Sequence, residues 1–373
     1  MKKFFLPFCF LICFICSWEA SAWGFFAHKR INRLAVFTLP AEMLPFYKYH
    51  IAYLTENAVN PDRRRYAVEG EAPRHYIDAD MYGDSALYKL PRYWKDAVAK
   101  YTEDTLMAYG IVPWHIQLMK FELTEAFRQM DAGRILRLSA DLGHYIGDAN
   151  VPLHTTSNYN GQFTGQQGIH GFWESRLPEL FSNDYDFFVG QASYLDSPQR
   201  IAWQAVINAN AALDSVLRFD RELTEQFSED KKYGFEERNG LTVRVYSREF
   251  SQAYSQMLSG QVERQMRASI QMVGNFWYTC WVDAGQPDLS RLIAFQFSKE
   301  EQEEMEKEEE EWKKRQPEKQ PAIRLHEVSV NCLDGCHNSK KNSGYSPWLA
   351  EAVRHRYAQK VAKLSMGWGF IPK

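Results

Sequence analysis

The sequence predicts an all-α protein, and three observations support this prediction. Apolar residues recur at spacings of three and four through most long segments. Runs of alternating polar and apolar residues, which are typical of strands, are scarce. Aromatic residues make up 15% of the chain, which suits a heavily packed helical body. We therefore expect a single large helical domain over residues 23–290, followed by a charged helix and a short C-terminal extension.

Residues 1–22 have the pattern of a signal peptide. Two lysines precede an apolar run from Phe4 to Cys16, and the sequence Ala-Ser-Ala at 20–22 matches the small-residue site that a signal peptidase cleaves. The apolar run is too short to span a bilayer comfortably. We therefore expect export to the periplasm or out of the cell, with Trp23 as the first residue and no stable membrane span in the mature chain.

Composition bounds the remaining chain. About 350 residues follow the cleavage site, enough for a sizeable core. The net charge of −3 argues against binding to nucleic acids or membranes through strong positive charge. Three of the six cysteines lie in the signal segment. Of the others, we expect Cys280 to be buried and free, and Cys332 to pair with Cys336.

The helical elements can be placed by their apolar spacing. In residues 134–148 the apolar positions share one helical face. Residues 251–285 predict one long helix that ends near Gly285. Residues 299–320 form a charge run with acids first and bases last, an order that suits the helix dipole.

Two segments follow the predicted body. We interpret residues 291–325 as a solvated helical spacer. Residues 326–373 form a C-terminal extension with an amphipathic stretch. We expect this stretch to pack on the body, and a membrane surface is the alternative.

Histidines and carboxylates recur in five stretches. Two pairs, His144 with Asp148 and His170 with Glu174, have the four-residue spacing that puts both side chains on one helical face. Zinc favours imidazole nitrogens and carboxylate oxygens as ligands. One such pair alone is weak evidence, but two pairs and His154 within 31 residues predict a metal site. The other candidate donors are Trp23, His28, Asp62 and His75. Asp78 and Asp80 can accept hydrogen bonds from ligand histidines or cap a turn.

These motifs resemble those of a superfamily that contains the zinc-dependent phospholipase C of bacteria and the single-strand-specific zinc nucleases of fungi. The resemblance covers the body from Trp23 to about Leu289, and it implies an all-α fold with three zinc ions. It implies that Trp23 binds one ion through its amino nitrogen and carbonyl oxygen, together with His28 and Asp148. By the same resemblance, the second ion is held by Asp62, His75, His144 and a bridging Asp148. The third is held by His154, His170 and Glu174.

The resemblance implies hydrolysis of a phosphodiester by metal-activated water. Asp62 is a candidate to orient or deprotonate that water as well as to bind an ion, and the alternative is that it only binds the ion. The close spacing of Trp23 and His28 is similar to the nucleases, whereas Asn150 and the final Glu174 are similar to the phospholipases. Phe26 stands where phospholipases carry an acidic residue that meets a choline headgroup. The substrate therefore stays open between a phospholipid and a single-stranded nucleic acid.

Two other interpretations compete with a hydrolase. One is a catalytically inactive, zinc-stabilised structural or binding protein of the same fold. The other is a surface-assembly component, because of the charged spacer and the cysteine-bearing tail. Structural zinc sites are normally closed by four protein ligands. The third predicted set has three, and this open position favours an enzyme. The sequence identifies no protein partner.

Overall fold

The computed structural model describes residues 24–238 and 241–315. Within those ranges the chain is helical apart from one short hairpin, which confirms the all-α prediction. The predicted signal peptide, Trp23, the end of the predicted spacer and the C-terminal extension with Cys332 and Cys336 lie outside the described residues.

The α-helical segments of the described ranges are α1 (Phe25–Ala35), α2 (Leu44–Tyr49), α3 (Ile51–Glu56), α4 (Asn60–Arg64), α5 (Ala86–Lys89), α6 (Trp94–Tyr101), α7 (Glu103–Tyr109), α8 (Val112–Arg128), α9 (Ala132–Ala149), α10 (Ile169–Gly171), α11 (Leu177–Phe181), α12 (Pro198–Thr224), α13 (Glu229–Lys232), α14 (Arg248–Leu258), α15 (Gln261–Asp283) and α16 (Lys299–Lys314). Short 3₁₀ turns join several of them, and one π-helical turn spans Phe172–Arg176. No helix in the described part of the chain combines the length and apolar character that a bilayer crossing requires.

The core lies between five of the longer helices, α1, α8, α9, α12 and α15, which pack on one another. The predicted apolar face of α9 is confirmed, since Ile135, Leu142 and Tyr145 are fully buried. The indole nitrogen of Trp277 on α15 donates to the Ser139 carbonyl of α9 at 3.1 Å, so this bond joins the two helices inside the core. These contacts hold α9 rigidly at the centre of the molecule.

Helices α1 and α9 cross at a close approach that needs a glycine. A methyl group added to Gly143 would lie 2.0 Å from Oδ1 of Asn32. Asn32 is fully buried, and its amide nitrogen donates to the carbonyls of Leu54 and Ala140 at 3.3 and 3.0 Å. The crossing therefore brings together the residues that follow Gly143 and the residues one turn before Asn32.

This close approach gives a stability prediction. Replacing Gly143 with Ala is expected to lower the free energy of unfolding by about 2–4 kcal/mol, because Asn32 must move and lose a buried hydrogen bond. Gly171→Ala is the control, since a methyl group there meets nothing within 4 Å. Urea denaturation of both variants checks the prediction. Equal losses in the two variants would contradict it.

One local prediction is wrong. The segment predicted as one helix is divided into α14 and α15, because Ser259 and Gly260 adopt positive φ angles of 49° and 76°. The apolar spacing continues on both sides of this break, so spacing alone did not reveal it. The end near Gly285 is confirmed, since α15 stops at Asp283.

The described structure also contains a hairpin that we did not predict. Strand β1 (Tyr233–Arg238) pairs antiparallel with β2 (Leu241–Tyr246), and Tyr233 lies opposite Tyr246. The sequence between the strands is Asn-Gly, which is the strongest short-range signal for a hairpin. That signal was available and was overlooked.

Helix α16 contacts the body. It begins at a capping box formed by Ser298 and Glu301. Glu309 lies 3.3 Å from the Arg63 guanidinium, and Arg315 donates to the Ala67 carbonyl at 3.4 Å. The charged helix therefore lies against α4 and the turn that follows it.

Cys280 is buried and free, as predicted. It lies on α15, and burial raises the pKa of its thiol to about 12. The thiol is therefore protonated and unreactive at neutral pH.

Candidate metal centre

Eight of the nine predicted donors converge in one buried region, and the ninth, Trp23, lies outside the described residues. Three clusters place donor atoms within 4.8 Å of one another. The first cluster is His28, His144 and Asp148; the second is Asp62, His75 and His144; the third is His154, His170 and Glu174. All of these side chains are buried.

The first cluster results from the crossing of α1 and α9. His28 lies one helical turn before Asn32, and His144 directly follows Gly143. The two imidazole rings stack with centroids 3.8 Å apart. Asp148 lies one turn further along α9, and its Oδ1 is 3.4 Å from Nε2 of His28. The four-residue spacing along α9 therefore places His144 and Asp148 on one helical face, as the sequence predicted.

The second cluster adds donors from two turns that lie beside α9. Asp62 lies on α4 and His75 ends the 3₁₀ turn at 72–75. Nδ1 of His75 is 2.9 Å from Oδ2 of Asp148 and 3.7 Å from Oδ1 of Asp62. Nε2 of His144 is 3.1 Å from the same His75 nitrogen. Asp148 thus contacts both clusters.

The third cluster is formed by two segments. His154 belongs to the 3₁₀ turn at 152–155 that follows α9. His170 lies on α10, and Glu174 lies on the π-helical turn. Nε2 of His170 is 2.9 Å from Oε2 of Glu174 and 3.1 Å from Nε2 of His154. A π turn often marks a functional site, because it displaces side chains from regular helical positions.

Asp148 connects all three clusters. Its Oδ2 faces His75 and His144, at 2.9 and 3.2 Å, and its Oδ1 faces His28. Oδ1 is also 3.7 Å from Nδ1 of His154. Burial would raise the pKa of this carboxyl, but the charge on His144 and its hydrogen bond to the carboxylate hold that pKa well below its usual range. Asp148 is therefore a carboxylate.

The histidines of the clusters differ in their protonation state near neutral pH. Burial lowers the pKa of His28, and burial likewise lowers that of His154, so both are neutral near pH 7. Burial also acts against a charged His144, but Asp148 and Asp62 outweigh it and raise the pKa of His144 to about 9. The carboxylates of Asp62 and Asp148 therefore stabilise a positive charge beside them, which can be a proton on His144 or a bound cation.

Backbone carbonyls fix the orientation of two of these rings. Nδ1 of His144 lies 2.8 Å from the Ala58 carbonyl, and Nδ1 of His154 lies 2.5 Å from the His75 carbonyl. Because a carbonyl oxygen only accepts, both Nδ1 atoms carry hydrogen. In the neutral ring each Nε2 then presents a lone pair to its cluster. Orientation of this kind is typical of metal-binding histidines.

The donor set fits metal ions. Imidazole and carboxylate are the ligands that zinc prefers, and each cluster supplies both. Both ring nitrogens of His28 and Oδ1 of Asp148 are buried, and neither residue uses these atoms for a hydrogen bond within the described residues. Buried polar atoms of this kind are costly unless something binds them. The three clusters could therefore hold metal.

Asp80 stabilises a turn, which is the second of the two roles that the sequence suggested for it. Its carboxylate accepts from the Thr156 hydroxyl at 3.0 Å and from the Ser157 amide at 2.9 Å. It therefore holds the loop that follows His154 and does not orient a ligand histidine.

Sequence reasoning missed two neighbours of the clusters. Arg65 is half-buried, and no ion pair or hydrogen bond of its guanidinium is found among the described residues. Burial lowers its pKa, but Tyr66, Asp62 and Asp148 raise it overall, so its charge lies close to those carboxylates. The other is Glu71, a fully buried carboxylate that lies 3.7 Å from Nε2 of His75. Its four-residue spacing to His75 is the signal that the sequence contains for it.

Comparison with known proteins gives little beyond this geometry. No family model matches the chain, and no curated protein matches it. Among solved structures, the chain is similar to a crystal structure of the alpha-toxin of Clostridium perfringens, from the avian strain SWCP, with a TM-score of 0.38 and 12% sequence identity. The match covers 73% of this chain and 66% of the toxin, just under two-thirds of its length.

Proposed function

We propose that this protein is an exported, zinc-dependent phosphodiester hydrolase with three zinc ions. The observation that carries the proposal is the convergence of eight predicted donors, from positions 28 to 174, into one buried connected site. We assign Trp23, His28 and Asp148 to one ion, and Asp62, His75, His144 and Asp148 to the second. His154, His170 and Glu174 hold the third.

The proposed ligands leave a surplus of positive charge. Asp62, Asp148 and Glu174 supply three negative charges, fewer than three divalent ions carry. Such a site attracts a phosphodiester and stabilises the charge that develops when it is attacked. Zinc held by these residues would supply two kinds of chemistry, a lowered pKa for a water and neutralisation of the leaving oxygen. Asp62, at the edge of the second cluster, orients that water or accepts its proton.

Two features support a hydrolase over an inactive zinc-stabilised protein. Structural zinc is normally closed by four protein ligands. The third cluster brings three donors together among the described residues, which leaves a position for water or substrate. Arg65 adds a cation that interacts electrostatically with Asp62 and Asp148, and a phosphate oxygen can accept from its guanidinium.

A hydrolysis panel with the mature chain tests the proposal. Zinc is measured by elemental analysis, and the protein is then incubated with phosphatidylcholine, phosphatidylethanolamine or single-stranded DNA. We expect about three zinc ions per chain and hydrolysis of one substrate class, lost with a chelator and restored by zinc. A chain with zinc that hydrolyses none of these substrates would support the inactive alternative. A chain without zinc would overturn the assignment.

Arg65 gives a prediction about substrate binding. Arg65→Ala is expected to lower kcat/KM by about 10²-fold, because one donor to the phosphate is lost. Zinc content should stay unchanged, since an arginine does not bind the ions. Arg63→Ala is the matched control: its guanidinium pairs with Glu309 at the surface, and kcat/KM should change little. Equal effects of the two substitutions would refute a specific role for Arg65.

A further inference from the structure

A buried charge network lies directly behind the second cluster. At its centre is Glu71, whose side chain is fully buried. Oε2 of Glu71 is 2.7 Å from Nη1 of Arg74 and 3.1 Å from Nε of Arg64. Oε1 accepts a short hydrogen bond from the hydroxyl of Tyr145. Arg64 also donates to Tyr145 and to Asp141, each at 2.9 Å. The network therefore holds two cations, two carboxylates and one bridging hydroxyl.

The network fixes both the charge and the position of Glu71. Burial would raise the pKa of its carboxyl, but Arg64 and Arg74 hold that pKa well below its usual range. Arg64, Arg74 and Tyr145 donate hydrogen bonds to the two carboxylate oxygens from different directions. The carboxylate therefore cannot rotate without breaking these bonds.

His75 lies between this carboxylate and the predicted metal donors. Its Nδ1 faces the cluster, 2.9 Å from Asp148 and 3.1 Å from His144. Its Nε2 is buried, forms no hydrogen bond in the described part of the chain, and lies 3.7 Å from Oε1 of Glu71. The edge of the Tyr145 ring packs against the same imidazole, with centroids 5.5 Å apart. One side of the ring is thus directed at the cluster and the other at Glu71.

We propose that Glu71 is a positioning residue for His75 in the metal centre. The inference rests on the proposed function, because it assigns Nδ1 of His75 to a zinc ion. The negative charge of Glu71 favours the tautomer of His75 that carries its hydrogen on Nε2, 3.7 Å from Oε1 of Glu71. This tautomer leaves Nδ1 unprotonated and makes it a stronger donor. A carboxylate behind a ligand histidine typically changes metal affinity by about 10- to 100-fold.

The competing explanation is a buried ion network that only stabilises the fold. Asp283 offers a control for this explanation. It pairs with the nearly buried Lys120 of α8, and neither residue is a predicted donor. Asp283→Asn therefore disturbs a partly buried ion pair of similar kind outside the clusters.

The experiment compares the full mature chain with its Glu71→Gln, Glu71→Asp and Asp283→Asn variants. Zinc affinity is measured by competition with a chromogenic chelator, and the stability of the metal-free chain is measured by urea denaturation. We expect Glu71→Gln to weaken one zinc ion by about 10- to 100-fold. Glu71→Asp should recover part of that loss, because it keeps the charge. Asp283→Asn should lower stability and leave zinc affinity unchanged.

The outcomes separate the two proposals. If the wild-type chain binds zinc and Glu71→Gln binds it with the same affinity, the role of Glu71 is overturned and the proposed function still stands. A wild-type chain that binds zinc without hydrolysis would contradict the proposed function alone, and one without zinc would overturn both. If Glu71→Gln does not fold, Tyr145→Phe provides the test, since it removes one hydrogen bond to Glu71 and keeps the ring. Unchanged zinc affinity in that variant would then count against the inference.

Discussion

Replacing Asp148 with Asn is expected to remove two of the proposed zinc ions and to abolish hydrolysis. The carboxylate lies within 3.4 Å of His28, His75 and His144, so it contacts donors of both the first and the second cluster. An amide of the same shape carries no charge and presents one oxygen in place of two. We expect kcat/KM to fall by at least about 10³-fold, because removal of a single charge-stabilising donor already costs 10²- to 10³-fold.

Elemental analysis and activity measured on the same sample check this prediction. Asp131→Asn is the matched control. It makes the same chemical change on the same helix, where Asp131 caps α9 by accepting from the Arg134 amide at 3.0 Å. Asn caps a helix nearly as well as Asp, so stability, zinc and activity should be retained. An Asp148→Asn protein with three ions and full activity would refute the bridging role.

Adding one residue before Trp23 has the second largest expected effect. The extension turns the terminal amine into an amide, whose nitrogen is not available as a ligand, so the first ion should be lost while the fold is kept. A methyl group on Gly24 would lie 2.3 Å from the hydroxyl of Ser175, so the start of α1 packs beside Glu174.

The test compares three chains produced with defined N-termini. The first begins at Trp23, the second carries one additional glycine, and the third has Trp23 replaced by Ala. The alanine variant keeps a free amine and carbonyl and should keep its zinc, which separates the backbone donors from the indole. Unchanged zinc content and activity in the glycine-extended chain would remove Trp23 from the proposed ligands.

The donors that share one helix were the most predictable part of the site. The pair His144 and Asp148 depends only on helical periodicity, and so does the burial of Ile135 and Leu142. Donors from separate elements were found through the resemblance in motifs, because no local pattern states that residues 28 and 144 meet. Their meeting depends on the tertiary packing of Asn32 against Gly143.

Other features were not predicted from the sequence, because they depend on one or two residues or on contacts between residues that are far apart in the chain. The break between α14 and α15 depends on the conformation of two residues, and the hairpin on one Asn-Gly pair. The contact of Glu309 with Arg63 joins positions 246 residues apart in sequence, which composition alone cannot indicate. Glu71 could not be singled out from the sequence, because one Glu four residues before a histidine is a common spacing that does not by itself indicate a buried acceptor.

The spread of the donors along the chain has a consequence for biogenesis. No fragment that ends before residue 174 carries all eight described donors, and the earliest and latest of them belong to α1 and to the π-helical turn. A nascent chain that ends before residue 174 therefore lacks Glu174, one of the three donors of the third cluster. Under the proposed function, the full set of ions binds only after the tertiary contacts of high contact order have formed, so metal binding is a late step in the folding of this chain.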